Sequence, residues 1–338
     1  MSASSVATAT ATARAKRPGV FLGRSAAAAA RADTLPDARE DRSQARTIWD
    51  GFASHRPALV SLVVMCTLTL ACIVLPWVLP WQATETDFQV LAATPPSTAH
   101  WLGTDAIGRD VLARLMSAGR ISLLIGLSVA LISAGVGATI GVVQGFYGGR
   151  LDTALGWLVS MLMTIPSLPL LIAMSSVVNS DGGRASQILN ALPPQWRIIL
   201  IMSILGWMAI SRVVRSQVVS LRRREFVEAS VALGASDRRV MIAHILPNTI
   251  SILAVFTTLA VATAILGEST LSFLGIGVPP PAASWGNMLI DARDVFTVTR
   301  YWWLIWFPAG LILVSILCVN FIGDGLRDAF DPTTTRGR

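Results

Sequence analysis

Residues 121–149, ISLLIGLSVALISAGVGATIGVVQGFYGG, are 29 consecutive residues without a formal charge. A helix of about 20 apolar residues crosses a bilayer core, because only internal hydrogen bonds satisfy the backbone there. This run qualifies, and four others do too: 57–80, 153–180, 249–267 and 301–323, with lengths 24, 28, 19 and 23. A shorter stretch, Ile198–Ser211, reaches spanning length if its helix starts near Gln195 and continues past Arg212 and Arg215. The aliphatic stems of those arginines can snorkel to the interface. The expected fold is an all-α polytopic membrane protein with six transmembrane helices, at about 57–80, 121–146, 153–178, 195–219, 249–273 and 302–324.

Composition agrees: charged residues are 14% of the chain, against about 25% in soluble domains. Their placement sets an expected orientation. Residues 1–56 hold nine Lys/Arg and five Asp/Glu, residues 81–120 hold three against four, and residues 212–248 hold seven against three. The positive-inside rule puts the basic segments in the cytoplasm. Both termini and the 212–248 loop are then cytoplasmic, and segments 81–120, 179–194 and 276–300 lie outside. Because the basic residues are divided among loops, no nucleic-acid-binding face is expected. Residues 1–50, with the Ala26–Ala30 run, read as a disordered cytoplasmic tail without a signal-peptide core, followed by a permease domain over 51–338. A short interfacial helix near Thr47–His55 leads to Pro57, which suits a helix start.

Several chemistries are poorly supported. Lys16 is the single lysine, followed by Arg17, so no Walker A loop exists in this chain. The 26 arginines against one lysine suggest a GC-rich genome. Cys66, Cys72 and Cys318 fall in expected spans and read as packing residues. His55, His100 and His244 are far apart, and no metal site is expected. No catalytic constellation supports an enzyme. A secondary transporter is the rival reading, but it calls for coupling-ion groups at midplane depth and inverted repeats.

The expected second span carries Gly137, Gly141 and Gly145 at four-residue spacing, beside Ala130, Ala134 and Ala138. Such a stripe admits a close helix, within the chain or from another subunit. Pro166 and Pro169 should kink the third span. Outside, Thr104 or Asp105 is a candidate cap for a helix through Val111–Met116. Trp285, Trp302 and Trp303 suit an interfacial aromatic belt.

Loop 222–247 contains EASVALGASDRRVMIAHILP over 228–247. Arg222, Arg223 and Arg224 fit the headgroup region. A helix from Glu225 to Leu233 would gather Phe226, Ala229, Ser230 and Leu233 near one face. Gly234 can end it in the left-handed conformation, and Ser236 can cap a second helix over Asp237–Leu246. Pro247 should stop that helix. Glu228 can pair with Arg224 or with a cation on a docked partner. Periodicity alone also fits a solvated face on the membrane surface.

The spacing of Glu228, Ala229, Ser230, Gly234, Leu246 and Pro247 resembles the EAA loop of ABC-importer permeases, and His244–Asn248 resembles the HILPN of the peptide branch. Ser230 and His244 depart mildly from the general pattern. HWLGTDAIGRDVLARLMSAGRISL (100–123), with Gly103, Thr104, Asp105, Gly108, Arg109 and Asp110, looks like the outer motif of C-type permeases in dipeptide and oligopeptide importers. ESTLSFLGIGVPPPAASWGNML (268–289), with Glu268, Ser272 and Gly275, is similar to another stretch of that family. The resemblance implies a type I ABC importer permease. It implies pairing with a homologous B-type permease and docking of Phe226, Glu228 and their neighbours on two ATPase subunits, or one fused ATPase. ATP-Mg would bind those partners, with no cofactor on this chain. An extracytoplasmic peptide-binding lipoprotein would deliver cargo, and lipid would surround the spans. Related permeases also carry nickel chelates and other small solutes.

Glu268 is the acid closing an apolar run, and nineteen residues from Thr249 place it near the outer interface. It is expected to be structural, pairing with an outside arginine, or else a gate or substrate contact. Asp105, Arg109 and Asp110 are expected to stabilise the outer segment or to contact the binding protein.

Overall fold

A short helix, α1 (Gln44–Ser54), leads into the first span, α2 (Arg56–Val78). The computed structural model describes residues 44–90, 93–178, 187, 189 and 191–330; residues 1–43 of the expected 1–50 tail and the breakers Asp181–Gly183 lie outside them, whereas 44–50, read as disordered, are helical in α1. His55 Nδ1 accepts from Ala58 N at 3.2 Å, and Pro57 occupies the first turn of α2, where its missing N–H costs nothing. Pro76, inside α2, cannot donate to the Cys72 carbonyl. Arg120 Nε does so instead, at 2.8 Å.

The next helix, α3 (Val111–Tyr147), has 37 residues. It begins at neither Thr104 nor Asp105. Its cap is Asp110, whose Oδ1 accepts from Ala113 N at 2.8 Å. The reason is local: Gly103 and Gly108 hold φ of 82° and 81°, so the chain turns until Asp110. A Cβ on either glycine would lie 2.5 Å from a carbonyl, Thr94 O or Val90 O.

The third span is a bent pair, α4 (Gly149–Thr164) and α5 (Ser167–Val178), at 89° to each other. Pro166 lies at the break, as its missing donor predicts. The rest are α6 (Pro194–Leu221), α7 (Glu225–Ala232), α8 (Asp237–Phe273), α9 (Trp285–Met288), α10 (Val295–Arg300) and α11 (Trp303–Phe330). Pro247 does not stop α8. Residues Met241–Ile245 form a π turn, and Leu246 N donates to Met241 O, five residues back. That wider turn shifts the hydrogen-bond register just before Pro247, and the helix continues. Among the described residues, five helices are long and apolar enough to cross a membrane, and six spans result if the bent pair counts as one. Among the described residues the only β pairing is isolated bridges, so the protein is essentially all-helical.

Helix α3 is the axis, packed on α6, α8 and α2. Its glycine stripe faces α6, within the chain. A Cβ at Gly137, Gly141 or Gly145 would meet Ile210 Cβ at 2.9 Å, or Val214 or Val218 Cβ at 2.8 Å. Three apolar clusters stack along α3. One holds Cys72, Leu115, Ile265 and Trp285; the next Ile125, Val129, Ile199 and Met202; the last Val142, Val214, Val218 and Val227. Residues 276–300 close over the start of α3 and the end of α8, which we term the cap end. The hairpin of α7 and the start of α8 sits on the far ends of α3 and α6, the hairpin end.

Candidate functional site

At the hairpin end, Val227, Val240 and Ile245 are buried against Val214 and Val218 of α6 and Val142 of α3. These three apolar side chains clamp the elbow to the bundle. Leu233 N and Gly234 N close α7 on the carbonyls of Ala229 and Val231, and Gly234 takes φ +85°. Ser236 precedes the second helix without a side-chain capping bond. The side facing away carries Phe226, Val231, Leu233 and Ile242, at 44, 52, 90 and 53% exposure. Glu228 and Ala229 are exposed beside them, Ser230 is half-buried, and Glu228 has no ion-pair partner among the described residues. Of the two options for Glu228, the pair with Arg224 is not formed. His244 and Leu246 are half-buried, in and just after the π turn, and Pro247 is exposed.

The flanks of the elbow are fixed by arginines. Arg222 donates to Phe146 O at 2.7 Å, closing the C-terminal end of α3. Arg215 forms a two-bonded ion pair with Asp152 at 2.5 and 2.6 Å, tying α6 to α4. Sequence reading had Arg215 snorkelling and Arg222 on headgroups. Their partners lie 63 and 76 residues away, beyond the reach of any local pattern.

At the cap end, Asp105, Thr104 and Asp110 are buried. Arg109 Nε donates to Asp105 Oδ2 at 2.7 Å, and Asp105 Oδ1 accepts from Ile107 N and Arg109 N. Arg114 Nε stands 3.5 Å from the same carboxylate. His100 lies between Asp110 (2.9 Å) and Asp87 (3.4 Å), its ring beside Trp81. The six motif residues thus form one knot, in which Asp110 both caps α3 and holds His100.

Glu268 is fully buried near the end of α8. Its partners are serines, not the expected arginine. Ser122 donates to Oε2 at 3.1 Å and Ser272 to Oε1 at 2.7 Å. Ser122 in turn accepts from Trp285 N at 3.1 Å, and Ser272 accepts from Val278 N and Ser284 Oγ at 3.2 and 3.3 Å. Both hydroxyls therefore have their hydrogens committed to the carboxyl group. Trp285 is fully buried, with Nε1 donating to Leu115 O at 3.0 Å, and Trp303 is buried with Nε1 donating to Thr104 O. Neither sits in an interfacial belt; of the three, Trp302 is the exposed one, at 47%. Gly275 (φ +83°) ends the helix just beyond this cluster. Ser284 and Asn287 close a capping box, a signal readable in the S-W-G-N spacing. A cavity of about 350 Å³, lined in part by Asp105, Arg109, Arg114 and Asn287, opens beside the knot.

Residues 137–336 match the model of the binding-protein-dependent transport system inner membrane component family. Residues 43–96 match the N-terminal TM domain of oligopeptide transport permease C. A protein named as a peptide permease from Brucella suis is 41% identical over 281 residues, 83% of this chain and 88% of that protein. The oligopeptide transport system permease protein OppC of Mycobacterium tuberculosis is 39% identical over 283 residues, 84% and 92% of the two chains. Its counterpart in Haemophilus influenzae is 34% identical over 298 residues, 87% and 91%. The helical bundle, its spans and these matches agree: the chain belongs to the binding-protein-dependent transport system inner membrane component family, as a multi-pass membrane permease of the oligopeptide permease C type and not an enzyme.

Proposed function

We propose that this permease is one of two homologous membrane subunits of an ATP-driven peptide importer, and that its elbow docks on a separate ATPase. The observation that carries the docking is the contrast within the elbow itself. Val227, Val240 and Ile245 are buried, while Phe226, Leu233 and Ile242 stand exposed around Glu228. Exposed apolar side chains gathered on one clamped element mark an interaction surface. Glu228 offers a carboxylate to a cation on the partner. Peptide cargo is taken from the names of the relatives, and an extracytoplasmic binding protein supplies it. ATP-Mg sits on the partner ATPase subunits. The basic character of residues 212–248 puts the elbow and both termini in the cytoplasm.

Reconstitution of the whole transporter tests this. Glu228→Arg and Leu233→Ser leave the permease folded and in the membrane, but abolish peptide-stimulated ATP hydrolysis. Gly234→Val acts the same way through backbone strain at φ +85°, since nothing lies within 4 Å of its added Cβ. A cysteine at position 233 that never crosslinks to an ATP-hydrolysing subunit removes the docking role.

A further inference from the structure

We infer that the half-open cavity lined by α3, α5, α6 and α8 is a subsite for the apolar side chain of a peptide in transit. The inference rests on the peptide-importer reading and adds the chemistry of the cargo. The cavity measures about 440 Å³ and lies between the cap knot and the elbow. Val129, Met202 and Phe256 give it apolar walls, Ser133, Ser167 and Thr263 contribute hydroxyls, and among the described residues no charged one lines it. An apolar cavity of about 150 Å³ is enough to hold benzene, so a leucine or phenylalanine side chain fits with room for its backbone. A charged side chain there would lose its hydration with no counter-charge, a heavy penalty.

Two features point to a polar ligand group as well. Ser133 is buried and its hydroxyl has no hydrogen-bond partner. Thr139 turns back on Gly135 O and Thr263 on Leu259 O, whereas Ser133, like Ser203, Ser269 and Ser315, makes no such bond among the described residues. Ser133 instead lies against Gly206, whose missing side chain leaves space for it. A buried hydroxyl without a partner is costly, and a peptide carbonyl or N–H is a group of the right kind to satisfy it. Second, the break between α4 and α5 brings Ser167 and Leu168, the first residues of α5, to the wall. Irregular backbone within a membrane is tolerated where it is buried in protein or lines a cavity.

The assembled importer in proteoliposomes, with its binding protein, provides the test. Uptake of trileucine, trialanine and trilysine is compared after normalising for each peptide's affinity for the binding protein. Wild type favours trileucine over trilysine. Ala260→Phe, which fills the cavity, lowers the trileucine-to-trialanine uptake ratio by about 10-fold, the scale of discrimination in an apolar pocket. Ser133→Ala, which adds no volume, lowers uptake of both neutral peptides by about 2- to 10-fold, as loss of one hydrogen bond does. An unchanged ratio in Ala260→Phe together with unchanged uptake in Ser133→Ala overturns the subsite. So does a lipid that co-purifies with wild type and is lost from Ala260→Phe while the ratios stay fixed. A wild-type transporter that takes up no peptide at all sinks the importer reading itself, a separate and recognisable failure.

Discussion

At the cap end, Asp105, Asp110, His100 and Glu268 are buried and hydrogen-bonded within the chain; at the hairpin end, Phe226, Glu228 and Leu233 stand in the open. Both regions carry the sequence motifs that look functional. The cap spends its polar groups on its own architecture. The elbow buries three valine or isoleucine anchors in the bundle, with Ala235, Met241 and Leu246 partly buried beside them, and turns Phe226, Glu228 and Leu233 outward. A motif's burial thus separates the part that builds the scaffold from the part left exposed at the surface.

Substitutions should break or sharpen that contrast, through stability at the cap and through coupling at the elbow. The largest loss is expected from Trp285→Ala, about 3–5 kcal/mol for a fully buried tryptophan, read as a fall in thermal midpoint in detergent. A midpoint shifted by less than a degree would mean the cap is not held by its plug. Glu268→Gln comes next. Ser122 and Ser272 both donate to this carboxyl group, and an amide accepts at one end only, so one hydroxyl meets a donor. The expected cost is about 1–3 kcal/mol, with reduced assembly. Intact assembly together with lost transport would instead assign Glu268 to a gate. Asp110→Ala removes the α3 cap and costs about 0.5–2 kcal/mol, measured in the same way. Glu228→Arg sits at the other extreme, with stability changed by no more than about 0.5 kcal/mol while ATP hydrolysis loses its dependence on peptide. A destabilised Glu228→Arg would place the elbow among the structural motifs and erase the contrast.

The spans and the elbow were legible because their signals are local. Uncharged length marks a span, Pro166 marks a break, and Gly234 between two short amphipathic stretches marks a corner. What escaped were pairings across the chain. Glu268 finds Ser122 from 146 residues away, and Trp285 reaches Leu115 from 170. Helix length puts Glu268 at the interface, where an acid seeks arginine, and residue type puts Trp285 in an aromatic belt, where it seeks headgroups. The folded cap covers that depth with protein, so the same residues find serine hydroxyls and a carbonyl. Pro247 misled for a different reason. Proline stops a helix whose register is fixed, and the π turn before it shifts the register.

Helix α3 runs from the Asp110 cap to Tyr147 with no proline in between. At about 1.5 Å per residue its 37 residues form a rod about 55 Å long. One end is interlocked with α6 through bare glycines, directly above the valines that seat the elbow. In the other half, eleven residues in from Val111, Ser122 is bonded to both Glu268 and the Trp285 backbone. A tilt of this rod at the Gly145 contact would therefore be felt at Ser122 and at the Glu268 and Trp285 groups bonded to it.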